Sequence, residues 1–148
     1  MDDYLEKELN QVLGKAIAFA SFAHFEQYDK IGKPYILHPI AVMILVKSTE
    51  AKVVAILHDT MEDCNISENE LRQKHIPAHL IEAIVAISRK EKESYDEYLD
   101  RVKANPLALE VKLADIAHNS SEERLTKLAE VESNRLRKKY KKALKYLS

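Results

Sequence analysis

The sequence predicts an all-α protein, a bundle of seven or eight helices in one domain spanning residues 1–148. Three observations lead there. Only two glycines and four prolines leave too few turn formers for a many-stranded β protein. Apolar residues recur at spacings of three and four, with no alternating run. Helix-starting residues stand just ahead of the apolar segments.

The first segment places Leu9, Val12, Leu13, Ala16, Ile17, Ala20 and Ala23 on one face, which predicts a long amphipathic helix. It stops before the loop Asp29 to Pro34, where Gly32 and Pro34 interrupt helical geometry. A second helix is predicted from Pro39, because proline suits the first helical position. It carries Ile40, Met43, Ile44 and Val46. Ser48 or Thr49 caps a third, whose run Val53 to Leu57 is apolar nearly all round and belongs in the core centre. Ser67 with Glu70 forms a capping-box signature for a fourth. Pro77 opens a fifth, Ser94 a sixth, and Asn105-Pro106 a seventh. The last helix carries Leu136, Tyr140, Ala143, Leu144 and Leu147.

Composition excludes several classes. A net charge of −1 argues against a nucleic-acid-binding protein, although seven basic residues and no acidic one lie between Arg135 and Lys145. That run reads first as a solvated helix face and second as a phosphate-attracting patch. No apolar run is long enough for a membrane helix. The acidic start MDDYLEKELN is not a signal peptide, and the single cysteine, Cys64, forms no internal disulfide. A cytoplasmic setting is the expectation.

Four polar groups stand among apolar neighbours: His38 before Pro39, the pair His58-Asp59 after Leu57, and Asp115 after Ala114. A buried carboxylate costs several kcal/mol unless it is paired or binds a cation. One divalent ion satisfies all four, and the mixed donor set suits Mn²⁺ or Fe²⁺, with Zn²⁺ or Mg²⁺ also possible. Taken singly, each histidine reads more simply as a hydrogen-bonded core residue. The order and context of the four together favour a metal site. Glu62 and Asp63 follow His58 and Asp59 by four residues, so a continuous helix would stack a second acidic pair one turn from the ion. His118, three residues after Asp115, reads equally as a partner for a ligand or as a core histidine.

The order His38-Pro39, His58-Asp59, Asp115 resembles the HD phosphohydrolases. The longer stretches His24 to Gln27, Gly32 to Pro39, Ile56 to Asp63 and Val111 to Asn119 resemble the hydrolase domain of RelA/SpoT-type enzymes and the small alarmone hydrolases. The resemblance runs from about Leu13 to Leu125. It implies an HD-domain helical bundle, with His38, His58, Asp59 and Asp115 as ligands of a metal, usually Mn²⁺. It implies Glu62 and Asp63 as the catalytic acidic pair, Asn119 beside the nucleotide, and Lys30 beside base and phosphates. The implied reaction releases pyrophosphate from the 3′ position of ppGpp or pppGpp.

Lys33 and Lys112 are further candidates to meet phosphate charge, and Tyr35 to stack on a base. This sequence departs from the family at three places. Asp29 stands where an arginine usually lies beside guanine, Glu26 replaces the glycine of a His-x-Gly-Gln motif, and no arginine directly follows Asn119. Asp29 is expected to accept hydrogen bonds from guanine if it reaches the base. The leading expectation is a metal-dependent ppGpp 3′-pyrophosphohydrolase acting on a nucleotide substrate, with no synthetase domain. The alternatives are an HD-type nucleotidase or phosphatase, and a regulatory HD module without turnover. Oligomeric state is left open.

Overall fold

The computed structural model describes residues 2–148; Met1 of the acidic N-terminal stretch lies outside the described residues. The described chain holds ten helices: α1 (Asp3–Ala23), α2 (Leu37–Leu45), α3 (Thr49–Leu57), α4 (Thr60–Cys64), α5 (Glu68–Gln73), α6 (Ala78–Ile87), α7 (Tyr95–Lys103), α8 (Pro106–Asn119), α9 (Glu122–Leu125) and α10 (Glu130–Leu147). No strand occurs among the described residues, only an isolated β-bridge between Tyr28 and Pro34. The all-α bundle is therefore as expected, with more helices than the seven or eight read from sequence.

The extra helices come from breaks that apolar periodicity does not report. The expected third helix is two, α3 and α4, parted at His58-Asp59. There the His58 amide bonds back to Ala55 O (3.4 Å), and Thr60 Oγ1 donates to the Leu57 carbonyl (2.8 Å). Asn65, left-handed at φ 56°, closes α4. The short α9 lies in the polar stretch after Asn119.

The caps explain most helix starts. Ser48, Ser94 and Asn105 accept from the amides of Ala51, Glu97 and Ala108, and Ser67 with Glu70 forms the full capping box. Pro39 is the third residue of α2 rather than its first, and Pro77 is the N-cap of α6. Both positions precede the first amides that need an intrahelical partner, so the ring costs no hydrogen bond.

Helix α3 occupies the centre and packs against α1, α2, α6 and α8. Its Val53, Val54, Ala55, Ile56 and Leu57 are fully buried. Each large aliphatic side chain removed from water there contributes about 1.5–3 kcal/mol. Leu80 and Ile84 of α6, Leu99 and Val102 of α7, and Val111 and Ile116 of α8 complete the core. Helix α10 closes the bundle over α7 and α8 with Leu136, Ala143 and Leu147. Ile44 and Leu144, read as inward-facing, lie on the surface at 68% and 42% exposure.

Candidate metal centre and adjoining cleft

Packed helices bring three of the four expected ligands, His38, His58 and Asp115, to one place, with Asp59 beside the two histidines. His38 comes from the first turn of α2, His58 and Asp59 from the α3–α4 break, and Asp115 from the middle of α8. His38, His58 and Asp115 are buried, and one ligand atom of each lies within 4.8 Å of the others. Asp115 Oδ1 is 2.8 Å from His38 Nε2 and 3.3 Å from His58 Nε2. Asp59 Oδ2 lies 3.0 Å from His58 Nε2 and 3.8 Å from His38 Nε2. Adjacent donors around a hexacoordinate ion of this size stand about 3 Å apart.

The break at His58 makes this convergence possible. Consecutive residues of an unbroken helix diverge by about 100° around the axis, which would aim His58 and Asp59 at different neighbours.

The donor set fits a cation. His58 Nδ1 lies 2.6 Å from the Ala55 carbonyl and can only donate there, which leaves Nε2 as a lone pair. That Nε2 is buried without a hydrogen-bond partner, beside two carboxylates. A lone pair facing carboxylates calls for a positive charge between them. Burial disfavours charge on His58, yet Asp59 and Asp115 hold its pKa well above the ordinary value. The site thus draws a proton to the place an ion would take.

Further residues orient the ligands. His118 Nδ1 lies 2.7 Å from His38 Nδ1, with the rings stacked at 5.0 Å. Burial, then the neighbouring His38, lowers the pKa of His118 to about 4, so it stays neutral and accepts the His38 Nδ1 proton. Tyr35 donates its hydroxyl to Asp59 Oδ2 (2.5 Å). Asn119 Nδ2 donates to Asp115 Oδ1 (3.1 Å). Lys112 Nζ bonds Asp115 Oδ2 (3.0 Å) and sits 5.2 Å from the centre of the Tyr98 ring. Burial opposes the charge on Lys112, but Asp115 keeps its pKa well above the usual lysine value. Burial likewise opposes ionisation of Asp115, and Lys112 with the two histidines outweighs it.

Glu62 and Asp63 lie on α4. Asp63 follows Asp59 by one helical turn, its amide bonding Asp59 O (2.9 Å), whereas the break removes the expected stacking of Glu62 over His58. Glu62 instead accepts from the Arg89 backbone amide. Asp63 accepts from Gln27 Nε2 (3.2 Å). Burial and the charge of Asp59 raise both pKa values from their ordinary values.

A cavity of about 260 Å³ opens beside the cluster, lined among others by Asp29, Lys30, Tyr35, Asn119, Arg124 and Tyr140. Four of the expected substrate contacts thus meet there, although each is already engaged. Asp29 Oδ1 accepts from the amides of Ile31 (3.0 Å) and Lys33 (2.9 Å), holding its own loop in a turn. Lys30 is ion-paired with Glu132 of α10. Tyr35 and Asn119 hold the side chains of Asp59 and Asp115. Lys33 is solvent-exposed on the loop and does not line the cavity. Lys112 is largely buried beneath Asp115 and does not line it either.

Sequence reasoning assigned no role to several residues that the fold draws in. His24 is buried, its Nδ1 2.7 Å from Gln27 Oε1, and Gln27 in turn reaches Asp63. Their three-residue spacing was the available signal. Arg124 and Tyr140 reach the cavity from α9 and α10, far along the chain. Glu26 takes φ 65°, the left-handed conformation that explains why a glycine would suit its position.

No family model matches the chain. Curated relatives do. A guanosine-3′,5′-bis(diphosphate) 3′-pyrophosphohydrolase of Aquifex aeolicus (strain VF5) is 29% identical over 136 residues, covering 80% of this chain and 20% of the relative. A GTP pyrophosphokinase of Myxococcus xanthus is 29% identical over 142 residues, covering 80% and 19%. The chain therefore spans about one fifth of the length of these relatives. A solved structure of a metazoan ortholog of SpoT, described as hydrolysing ppGpp with a role in starvation responses, matches with a TM-score of 0.77. It is 19% identical, and the match covers 92% of this chain and 85% of that one. In sequence and fold, this chain resembles the RelA/SpoT-type hydrolase domain.

Proposed function

We propose that this HD-type domain is a metal-dependent guanosine-3′,5′-bis(diphosphate) 3′-pyrophosphohydrolase, which converts the alarmone ppGpp and water to GDP and pyrophosphate. The observation that carries the reading is the buried His38, His58 and Asp115 trio, with the orphaned His58 Nε2, beside an open cavity. The named pyrophosphohydrolases among its relatives support the choice of reaction.

Asp59 completes the ligand set, and the mixed imidazole and carboxylate donors favour Mn²⁺. When bound, the ion supplies Lewis acidity toward a phosphate oxygen and lowers the pKa of water. The protein's own groups do the rest. His118 and Ala55 O fix the histidine tautomers, and Tyr35, Asn119 and Lys112 hold the carboxylates in place. Glu62 and Asp63, whose pKa values are raised by burial, are candidates to take or deliver a proton. Arg124 and Tyr140 offer a cation and a ring to the nucleotide in the cleft. The reducing cytoplasm, where Cys64 stays a thiol, is the setting we infer.

Incubation with Mn²⁺ and ppGpp, followed by product identification, tests the proposal. GDP and pyrophosphate in equal amounts support it. Cleavage of simple nucleoside monophosphates with ppGpp left intact would replace it with an HD-type nucleotidase. Full metal occupancy without turnover of any nucleotide would leave a regulatory module.

A further inference from the structure

The basic run of α10 contains both paired and unpaired cations. Arg137 pairs with Glu122, and Arg135 makes two bonds to Glu132. Among the described residues, Lys139 and Lys142 have no carboxylate within ion-pair distance. These two turn toward α7 and line a separate cavity of about 330 Å³ with Arg89, Arg135, Tyr95 and Tyr146. Asp96 is the one acid on its wall.

The cations of this groove are held by rings more than by acids. Arg89 and Lys139 both approach the Tyr95 ring, at 5.2 Å and 5.1 Å from its centre. A ring's quadrupole attracts a cation without neutralising it, so the positive charge remains available. Partial desolvation and repulsion from Lys112, Arg135 and Arg89 lower the pKa of Lys139, a side chain that remains solvent-exposed. The Tyr95 hydroxyl is buried with no hydrogen-bond partner, although a buried hydroxyl ordinarily finds one. The chain as a whole is slightly acidic, so the excess is local.

We propose that the groove between α7 and α10 is a second anion site, distinct from the metal-centre cleft, which takes the di- or triphosphate group of a small ligand. Several cations around one small concavity match the several charged oxygens of a polyphosphate better than the single charge of a carboxylate. The volume is that of a small-molecule pocket, which argues against a nucleic acid or an extended acidic peptide. Nucleoside triphosphates and inorganic polyphosphate share the recognised chemistry. The site stands whether or not the chain hydrolyses ppGpp.

The test is a titration of the full-length chain, in chelator so that the metal centre holds no ion, with inorganic tripolyphosphate and separately with GTP and UTP. Binding is followed by amide chemical shifts and calorimetry. The expected result is saturable binding that shifts the amides of Arg89, Tyr95, Lys139 and Lys142 and leaves those of Tyr28 and Asn119 in place. Tripolyphosphate as tight as the nucleotides identifies the phosphates alone as the ligand; tighter nucleotides add a base contact. The double variant Lys139→Gln/Lys142→Gln should weaken binding at least tenfold, and Lys142→Gln alone, at an exposed position, severalfold. Shifts confined to the metal-centre cleft, or unchanged affinity in Lys142→Gln and in the double variant, overturn the proposal. So does binding of polyuridylate or polyglutamate with none of tripolyphosphate, which would mark a macromolecular surface.

Discussion

At one end of the candidate site, His38, His58 and Asp115 are held by helices packed around the core. At the other, Asp29, Lys30 and Tyr35 line the cleft from the loop between α1 and α2. The helical end is buried, and its polar atoms are bonded to one another or, like His58 Nε2, left open toward a shared centre. The loop end is more exposed, and its polar atoms close on local partners: Asp29 on its own turn, Lys30 on Glu132. On the proposed function, chemistry would fall where the backbone cannot shift without disturbing the core, and selection of the ligand where a side chain can change its partner at small cost.

Removing a ligand tests the helical end most severely. Asp59→Ala and Asp115→Ala should both lose bound metal by elemental analysis and drop below detectable turnover. They should differ in stability. Asp115→Ala strands the buried Lys112 ammonium, and loss of one partner of a buried pair costs about 3–5 kcal/mol, read by denaturant unfolding. Asp59 has no lysine to strand, so its variant should unfold close to wild type. Retention of full metal occupancy in either variant removes that residue from the ligand set.

Glu62→Gln should leave metal content unchanged and lower kcat by about 10²–10⁴-fold, the usual loss for a positioned acid or base. Unaltered kinetics at saturating metal would return Glu62 to a merely structural acceptor for the Arg89 amide. A smaller effect is expected one layer out. His118→Ala takes away the acceptor of His38 Nδ1 and should weaken metal affinity about 10–100-fold, measured by competition with a chelating dye. No change would show that water replaces His118 without loss.

The loop end should respond least. Asp29→Asn keeps the Oδ1 acceptor, so kcat/KM for ppGpp and its adenine counterpart should keep the wild-type ratio. Asp29→Ala deletes two loop hydrogen bonds and should cost about 1 kcal/mol of loop order, roughly a fivefold rise in KM. A guanine-to-adenine ratio that collapses in Asp29→Asn would establish that the carboxylate reads the base.

The same contrast governs what the sequence discloses. Caps are local, so Ser48, Ser67 with Glu70, Ser94 and Asn105 were legible from neighbours three residues away. The burial of His38, His58 and Asp115 was legible because apolar runs surround them. The break at His58 was not, since the helical pattern of α3 continues in spacing through Glu62. Nor was the occupation of Asp29 and Tyr35, which depends on how a turn closes and which ligand comes within reach. Lys112 shows an intermediate case: its three-residue spacing from Asp115 was visible, but the burial that commits it to that carboxylate is a tertiary fact.

Five residues of α4 are too few to hold a helix by themselves. The segment is anchored at one end by His58-Asp59 and at the other by left-handed Asn65. Its opening is therefore coupled to whatever charge occupies the space between His58 and Asp115, because an ion that binds only the closed form lowers the open population in proportion to its occupancy. In hydrogen exchange, the amides of Asp63 and Cys64 become a clock for ion residence. On the proposed function, the acidic pair would be assembled for proton transfer only during the interval in which an ion is held.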